Sequence, residues 1–168
     1  VDEFTPQVNW AETVNLALGV TTRHDPSSRS ALVFPALEMV RAGKIIGPRS
    51  FSTGEIVYGA KNPHVYAQID SKADALAHIR RLKAQGAHSI KNYNQPRRDQ
   101  RQQVVAAAIE ENMRSVAEGG SLFGLDMTLI ADGNTTVEHN VPVETFYQDV
   151  QQFFSRSKVG YTPTLVVT

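Results

Sequence analysis

The stretch "SKADALAHIRRLKAQGAHSIKNY" (residues 71–93) decides the fold class. Ser71 is placed as a helix N-cap with Asp74 three residues on, and Ala75, Leu76, Ile79 and Leu82 recur on one helical face. Gly86 provides the left-handed residue that stops such a helix. The short run after it, "HSIKNY", reads as a strand, and it carries one lysine, Lys91, to its far end. Helix, glycine, strand is therefore one unit of the fold.

The same unit recurs in both directions. Upstream, "NWAETVNLALGVTT" reads as a helix stopped at Gly19 and followed by a strand. "SSRSALVFPALEMVRAG" carries Val33, Leu37 and Val40 at helical spacing, kinked at Pro35 or starting there, before a strand in "KIIGPRSFSTG". Downstream come helix "PRRDQRQQVVAAAIEENM", strand "RSVAEGG", helix "LFGLDMTLIADG" and strand "TTVEHN". The last unit is helix "PVETFYQDVQQFFSRSK" and strand "TPTLVVT", with Val143, Phe146, Tyr147, Val150 and Phe154 as the apolar stripe and Pro142 in the first turn. Strict alternation with short apolar strands predicts an α/β domain with a parallel sheet, one domain over residues 1–168. Two architectures share that rhythm: an open doubly wound sheet and a closed (β/α)8 barrel. A barrel needs eight units and about 250 residues, so a chain of 168 residues is expected to be a section of one. The absence of an initiating Met and the apolar ending "TPTLVVT" fit a section cut at both ends.

Composition narrows the function classes. Seventeen basic residues balance seventeen acidic ones, which gives no overall field to attract nucleic acid. With no cysteine there is no disulfide, thiolate metal site or cysteine nucleophile. No apolar run approaches the roughly 18 residues of a membrane span. Walker and GxGxxG phosphate loops and a GxSxG elbow are also missing.

In both parallel architectures chemistry gathers at the C-terminal ends of strands. Three consecutive predicted strands end on Lys91, Glu118 and His139, and parallel pairing brings such ends side by side. Burial disfavours the ammonium form of Lys91, and a neutral amine can take up carbon dioxide as a carbamate, an anionic metal ligand. Two other readings of Lys91 are an ion pair with Glu118 or Glu138, and a Schiff-base amine. His139 offers a ring nitrogen as a ligand, while His64, His78 and His88 read as structural or exposed. The segment "PRRDQRQQ" reads as a helix start with its arginines solvated or paired to Asp99, or with Arg97 or Arg98 clamping a substrate carboxylate.

Taken in order, "GVTTRHDPS", "SIKNYNQPRRDQRQQ", "AEGGS", "TTVEHNVP" and "GYTPTLVV" resemble the amidohydrolase superfamily. The nearest group is the imidazolonepropionase-like and prolidase-like metal-dependent hydrolases, in particular members linked to TolB-like propellers. The resemblance implies a (β/α)8 barrel that holds one or two divalent metals, zinc foremost, and hydrolyses an amide, peptide or ring C–N bond with metal-activated water. It assigns Lys91 to the carboxylated fourth-strand lysine and His139 to the sixth-strand ligand, and it puts Glu118 where a fifth-strand histidine is usual. Tyr93, Arg97 and Arg98 fall beside the site as substrate contacts. The first-strand histidine pair would lie before Val1 and the catalytic aspartate after Thr168, so the chain is expected to span strands two to seven and to be inactive alone. The expected partners are a small-molecule or peptide-like substrate and a second copy of the chain, paired through exposed strand edges. A periplasmic location is suggested by the resemblance alone.

Overall fold

The computed structural model describes residues 5–61, 67–120 and 122–164. Helices and strands alternate without exception along these residues: α1 (Trp10–Ala17), β1 (Thr22–Asp25), α2 (Ser30–Arg41), β2 (Arg49–Ser52), α3 (Lys72–Ala84) and β3 (Ser89–Asn92) come first. They are followed by α4 (Arg98–Glu110), β4 (Arg114–Glu118), α5 (Phe123–Ala131), β5 (Thr136–Glu138), α6 (Gln148–Ser157) and β6 (Gly160–Thr162). The α3–β3 unit forms for the reasons visible in its residues. The Ser71 hydroxyl accepts the Asp74 N–H at 3.2 Å and donates to the Asp74 carboxylate at 2.9 Å, which satisfies an otherwise orphaned first-turn donor. Ala75, Ile79 and Leu82 are fully buried, and Gly86 sits at φ +108°, a conformation that a side chain would strain.

Every strand pairing is parallel. β1 pairs with β2, and β3, β4, β5 and β6 form a four-stranded sheet in chain order. Between the two sheets the Ser52 carbonyl accepts the His88 N–H at 3.3 Å, and Val57 bridges Lys91 and Tyr93 through backbone bonds of 2.9 and 3.1 Å. The strand order never reverses, as a doubly wound sheet requires, so that alternative is not the arrangement found. No closed barrel is formed either, because β1 and β6 do not pair among the described residues.

Along the strands Ile90, Ala117 and Val137 face the helices while the alternating Ser89, Val116, Thr136 and Glu138 face away, so the helices pack on one face. The larger core lies there, built from α2, α3, α4 and β3 around Val33, Leu37, Ile79, Leu82, Ile90 and Val104. A second cluster, Ala117, Leu129, Ile130 and Val137, joins α5 to β4 and β5. The other face lines a cavity of about 820 Å³ to which all six strands contribute, through His24, Phe51, Ser89, Val116, Glu138 and Thr162 among others.

Three elements differ from expectation. Helix α2 runs from Ser30 straight through Pro35, since burial of Val33, Phe34, Ala36 and Leu37 offsets the one backbone bond that proline cannot make. Helix α6 begins only at Gln148, so Pro142, Val143, Phe146 and Tyr147 precede it. Phe146 is drawn out of the expected stripe by ring packing: its centroid is 5.7 Å from Phe154 and 6.3 Å from Tyr161. The last strand, predicted in "TPTLVVT", forms earlier, at Gly160–Thr162, where it pairs with β5; residues 165–168 lie outside the described residues.

Candidate active site at the strand ends

Strand β3 is buried along its whole length, and Lys91 within it is 3% exposed. Register places Lys91 opposite Val116, so its side chain must rise by one inward-facing layer to meet the residue at the end of β4. It does: Lys91 Nζ is 2.5 Å from Glu118 Oε2. The other carboxylate oxygen, Glu118 Oε1, is 2.9 Å from His139 Nε2. Glu118 therefore links side chains from three consecutive strand ends. The ammonium of Lys91 is used in this ion pair, and the arrangement gives no support to a carbamate.

His139 is positioned by its backbone. It adopts φ +69°, uncommon for a residue with a side chain, directly after β5. Its N–H donates to the Thr162 carbonyl at 3.1 Å, and its Nδ1 lies 3.2 Å from Thr164 Oγ1, which leaves Nε2 facing Glu118.

The loop after β4 holds Glu118 in place from the other side. Gly119 donates its N–H to the Glu138 carbonyl at 3.1 Å, and a Cβ there would lie 2.6 Å from that same oxygen and 2.6 Å from Val137 Cγ1. Gly120 (φ +82°) donates to both oxygens of Asp126, at 3.2 and 3.3 Å. Asp126 is fully buried, and burial raises its carboxyl above the ordinary range against the pull of the Gly120 hydrogen bond. Gly119→Ala is expected to destabilise the fold by about 1–3 kcal/mol through overpacking, read as a lower urea midpoint. An unchanged midpoint would mean that β4 and β5 can separate without cost.

Glu118, Gly119, Gly120 and His139 line a cleft of about 660 Å³ together with Asn94, Val141, Val143, Glu144 and Thr164. The three remaining expected substrate contacts are not brought into this lining. Tyr93 packs its ring edge-on against Tyr58, with centroids 5.3 Å apart. Arg97 is exposed and pairs with Asp99 at 3.0 Å. Arg98 pairs with Asp132 at 2.8 Å.

Among the other histidines, His78 lies in α3 with Nε2 3.2 Å from the Gln68 carbonyl oxygen, and His88 packs edge-on against Phe51. His64 lies outside the described residues. His24 sits on the cavity face with Nε2 2.7 Å from Ser89 Oγ, and burial lowers it below the usual histidine value despite Glu138 and Asp25 nearby. One feature beside the cleft was missed in the sequence: Asp126, which holds Gly120 and reads as one acid of a helical first turn. Only the glycine pair after Glu118 hinted that the loop above β4 was closely packed.

No three His, Cys, Asp or Glu side chains gather as a metal centre among the described residues. No helix there is long and apolar enough to cross a membrane.

No family model matches the chain, and no curated protein matches it. Solved structures do. A Xaa-Pro dipeptidase with methionine bound in its active site aligns over 90% of this chain and 44% of its own at TM-score 0.71 and 17% identity. A putative prolidase from Bifidobacterium longum aligns over 90% and 40% at TM-score 0.69 and 19% identity. A bottromycin amidohydrolase aligns over 85% and 33% at TM-score 0.61 and 17% identity. The chain thus spans less than half the length of these structures. These comparisons correct the assignment to the amidohydrolase superfamily and its imidazolonepropionase-like, propeller-linked members. The ordered motifs find no family model, and the solved structures that the chain resembles include a Xaa-Pro dipeptidase and a putative prolidase. What is common to this chain and those structures is a fold: parallel strands alternating with helices, carried at low identity.

Proposed function

We propose that this chain is part of a hydrolase acting on amide or peptide bonds, with its chemistry at Lys91, Glu118 and His139. The observation that carries the reading is the Glu118 carboxylate, held at 2.5 Å by Lys91 and at 2.9 Å by His139 at the mouth of a cleft. The likeness of the fold to peptide-bond hydrolases supports it. Glu118 is oriented from both of its oxygens, so it can take a proton from water in the cleft only by giving up one partner. His139, through Nε2, is placed to receive or return that proton. Lys91 holds the carboxylate in place from the buried strand beneath it.

Glu118 and His139 also offer one oxygen and one nitrogen donor of the kind that divalent metals take, but a catalytic zinc usually has three protein ligands. They fit as part of a donor set and not as a complete one. A bound divalent ion would supply Lewis acidity for the carbonyl, and this donor pair does not select zinc over manganese or cobalt. By the same reading, the sequential parallel array is a section of a (β/α)8 barrel and the whole sequence is one domain. Its β1 and β6 edges then pair with another copy of the chain.

The ion pair of Lys91 equally suits a second reading, a non-catalytic module that binds a peptide-like ligand. It argues against a Schiff-base role, because a paired ammonium is not a nucleophile. The test is hydrolysis of a dipeptide panel by the full chain with zinc or manganese added. Turnover that disappears in Glu118→Gln and His139→Ala supports the hydrolase, and ligand binding without turnover under either metal leaves the binding module.

A further inference from the structure

The cleft beside Glu118 has a lopsided chemistry. Among the described residues its lining includes two carboxylates, Glu118 and Glu144, but no lysine or arginine. Lys91 reaches Glu118 from the buried strand and is not part of the lining. Glu144 is exposed and has no ion-pair or hydrogen-bond partner among the described residues. Asn94 also lines the cleft, and its Oδ1 is buried without a hydrogen-bond partner among the described residues. A buried acceptor left unpaired is costly, and a ligand donor reaching it from the cleft relieves that cost. Val141, Pro142 and Val143 give the same cleft an apolar wall.

Acceptors without cations select a ligand end that donates and is positively charged, and they repel a carboxylate. We infer that the cleft seats the protonated amino end of a short peptide or amino-acid amide, with Asn94 and Glu144 as the acceptors of its ammonium group and residues 141–143 against its side chain. This deepens the reading of Lys91, Glu118 and His139 as the hydrolytic corner by naming which end of the substrate faces them. The seat is a binding property and needs no turnover to be observed.

The experiment is calorimetric titration of the full chain with L-alaninamide and with N-acetyl-L-alaninamide at neutral pH. The free amine is expected to bind roughly tenfold more tightly, the equivalent of one charge-assisted hydrogen bond. Glu144→Gln, at an exposed position, is expected to remove most of that preference. Asn94→Leu is expected to lower affinity for the amine alone, and Asn94→Asp to raise it by adding charge. Equal affinity for the two amides, or a preference that survives both Glu144→Gln and Asn94→Leu, overturns the inference. Amine-selective binding without hydrolysis supports this seat while removing the hydrolase reading; equal hydrolysis of free and acetylated amides does the reverse.

Discussion

An Asp132→Ala variant is expected to lose about 3–5 kcal/mol of folding stability, the usual consequence of stripping one partner from a buried ion pair. Asp132 follows α5 and its side chain is 1% exposed, and the side chain of Arg101 in α4, 6% exposed, lies 2.6 Å from it. The same carboxylate accepts from Arg98 at 2.8 Å and from Gln102 at 2.9 Å. It thus ties the first turns of α4 to the end of α5. Without it the Arg101 guanidinium keeps, among the described residues, only Thr128 as a side-chain acceptor, at 3.0 Å, in a site that water does not reach freely. The urea midpoint is expected to fall by at least about 1 M. Arg101→Met added to Asp132→Ala should recover much of the loss, because the orphaned charge leaves with the arginine. Burial alone would push the Asp132 carboxyl up, but the hydrogen bonds from Arg98, Gln102 and Arg101 outweigh it and hold it below the ordinary range. A depressed carboxyl contributes stability that is complete above the unfolded value of about 3.9 and is lost as pH falls through the lower folded value. Wild-type and variant stabilities should accordingly converge in strong acid. A full 3–5 kcal/mol difference persisting there would locate the effect in packing instead.

That network also shows where sequence reading reaches and where it stops. The α3–β3 unit was legible because its cap, apolar spacing and terminal glycine are all local and agree with one another. Repetition of that unit then predicted six parallel strands, and parallel pairing is what places consecutive strand ends side by side. Lys91, Glu118 and His139 could be nominated for that reason alone. Their linkage through Glu118 could not, since it depends on Lys91 standing one layer below Glu118 and on the left-handed backbone of His139. The start of α6 was misplaced because Val143, Phe146 and Tyr147 imitate a helical stripe, whereas Phe146 answers to Tyr161 on a strand that follows. Arg98 and Asp132 are separated by 34 residues, and Asn94 lies in a run of polar residues with no periodicity. No local pattern points to such partners; only the packed arrangement of α4, α5 and the strand ends creates them.

Lys91→Met is expected to separate what Lys91 does for the fold from what it does for the chemistry. Methionine matches the length and shape of the lysine stem in a position that is 3% exposed, so the variant keeps the packing of β3 and loses the charge. Glu118 then retains His139 at 2.9 Å and is 18% exposed, so its carboxylate is neither wholly unpaired nor wholly dry. The stability loss should therefore be smaller than for Asp132→Ala, about 1–3 kcal/mol. Hydrolysis under the proposed reading should fall further, by about 10–100-fold in kcat/KM, as when the partner that orients a reacting carboxylate is removed. Adding Glu118→Leu to Lys91→Met should restore stability toward wild type, by replacing a broken pair with apolar contact, while leaving hydrolysis absent. That divergence, stability recovered and activity not, is the signature of a carboxylate kept for chemistry. If hydrolysis instead returns along with stability in the double variant, the Lys91–Glu118 pair serves the fold alone, and the reactive group must be sought elsewhere along the strand ends.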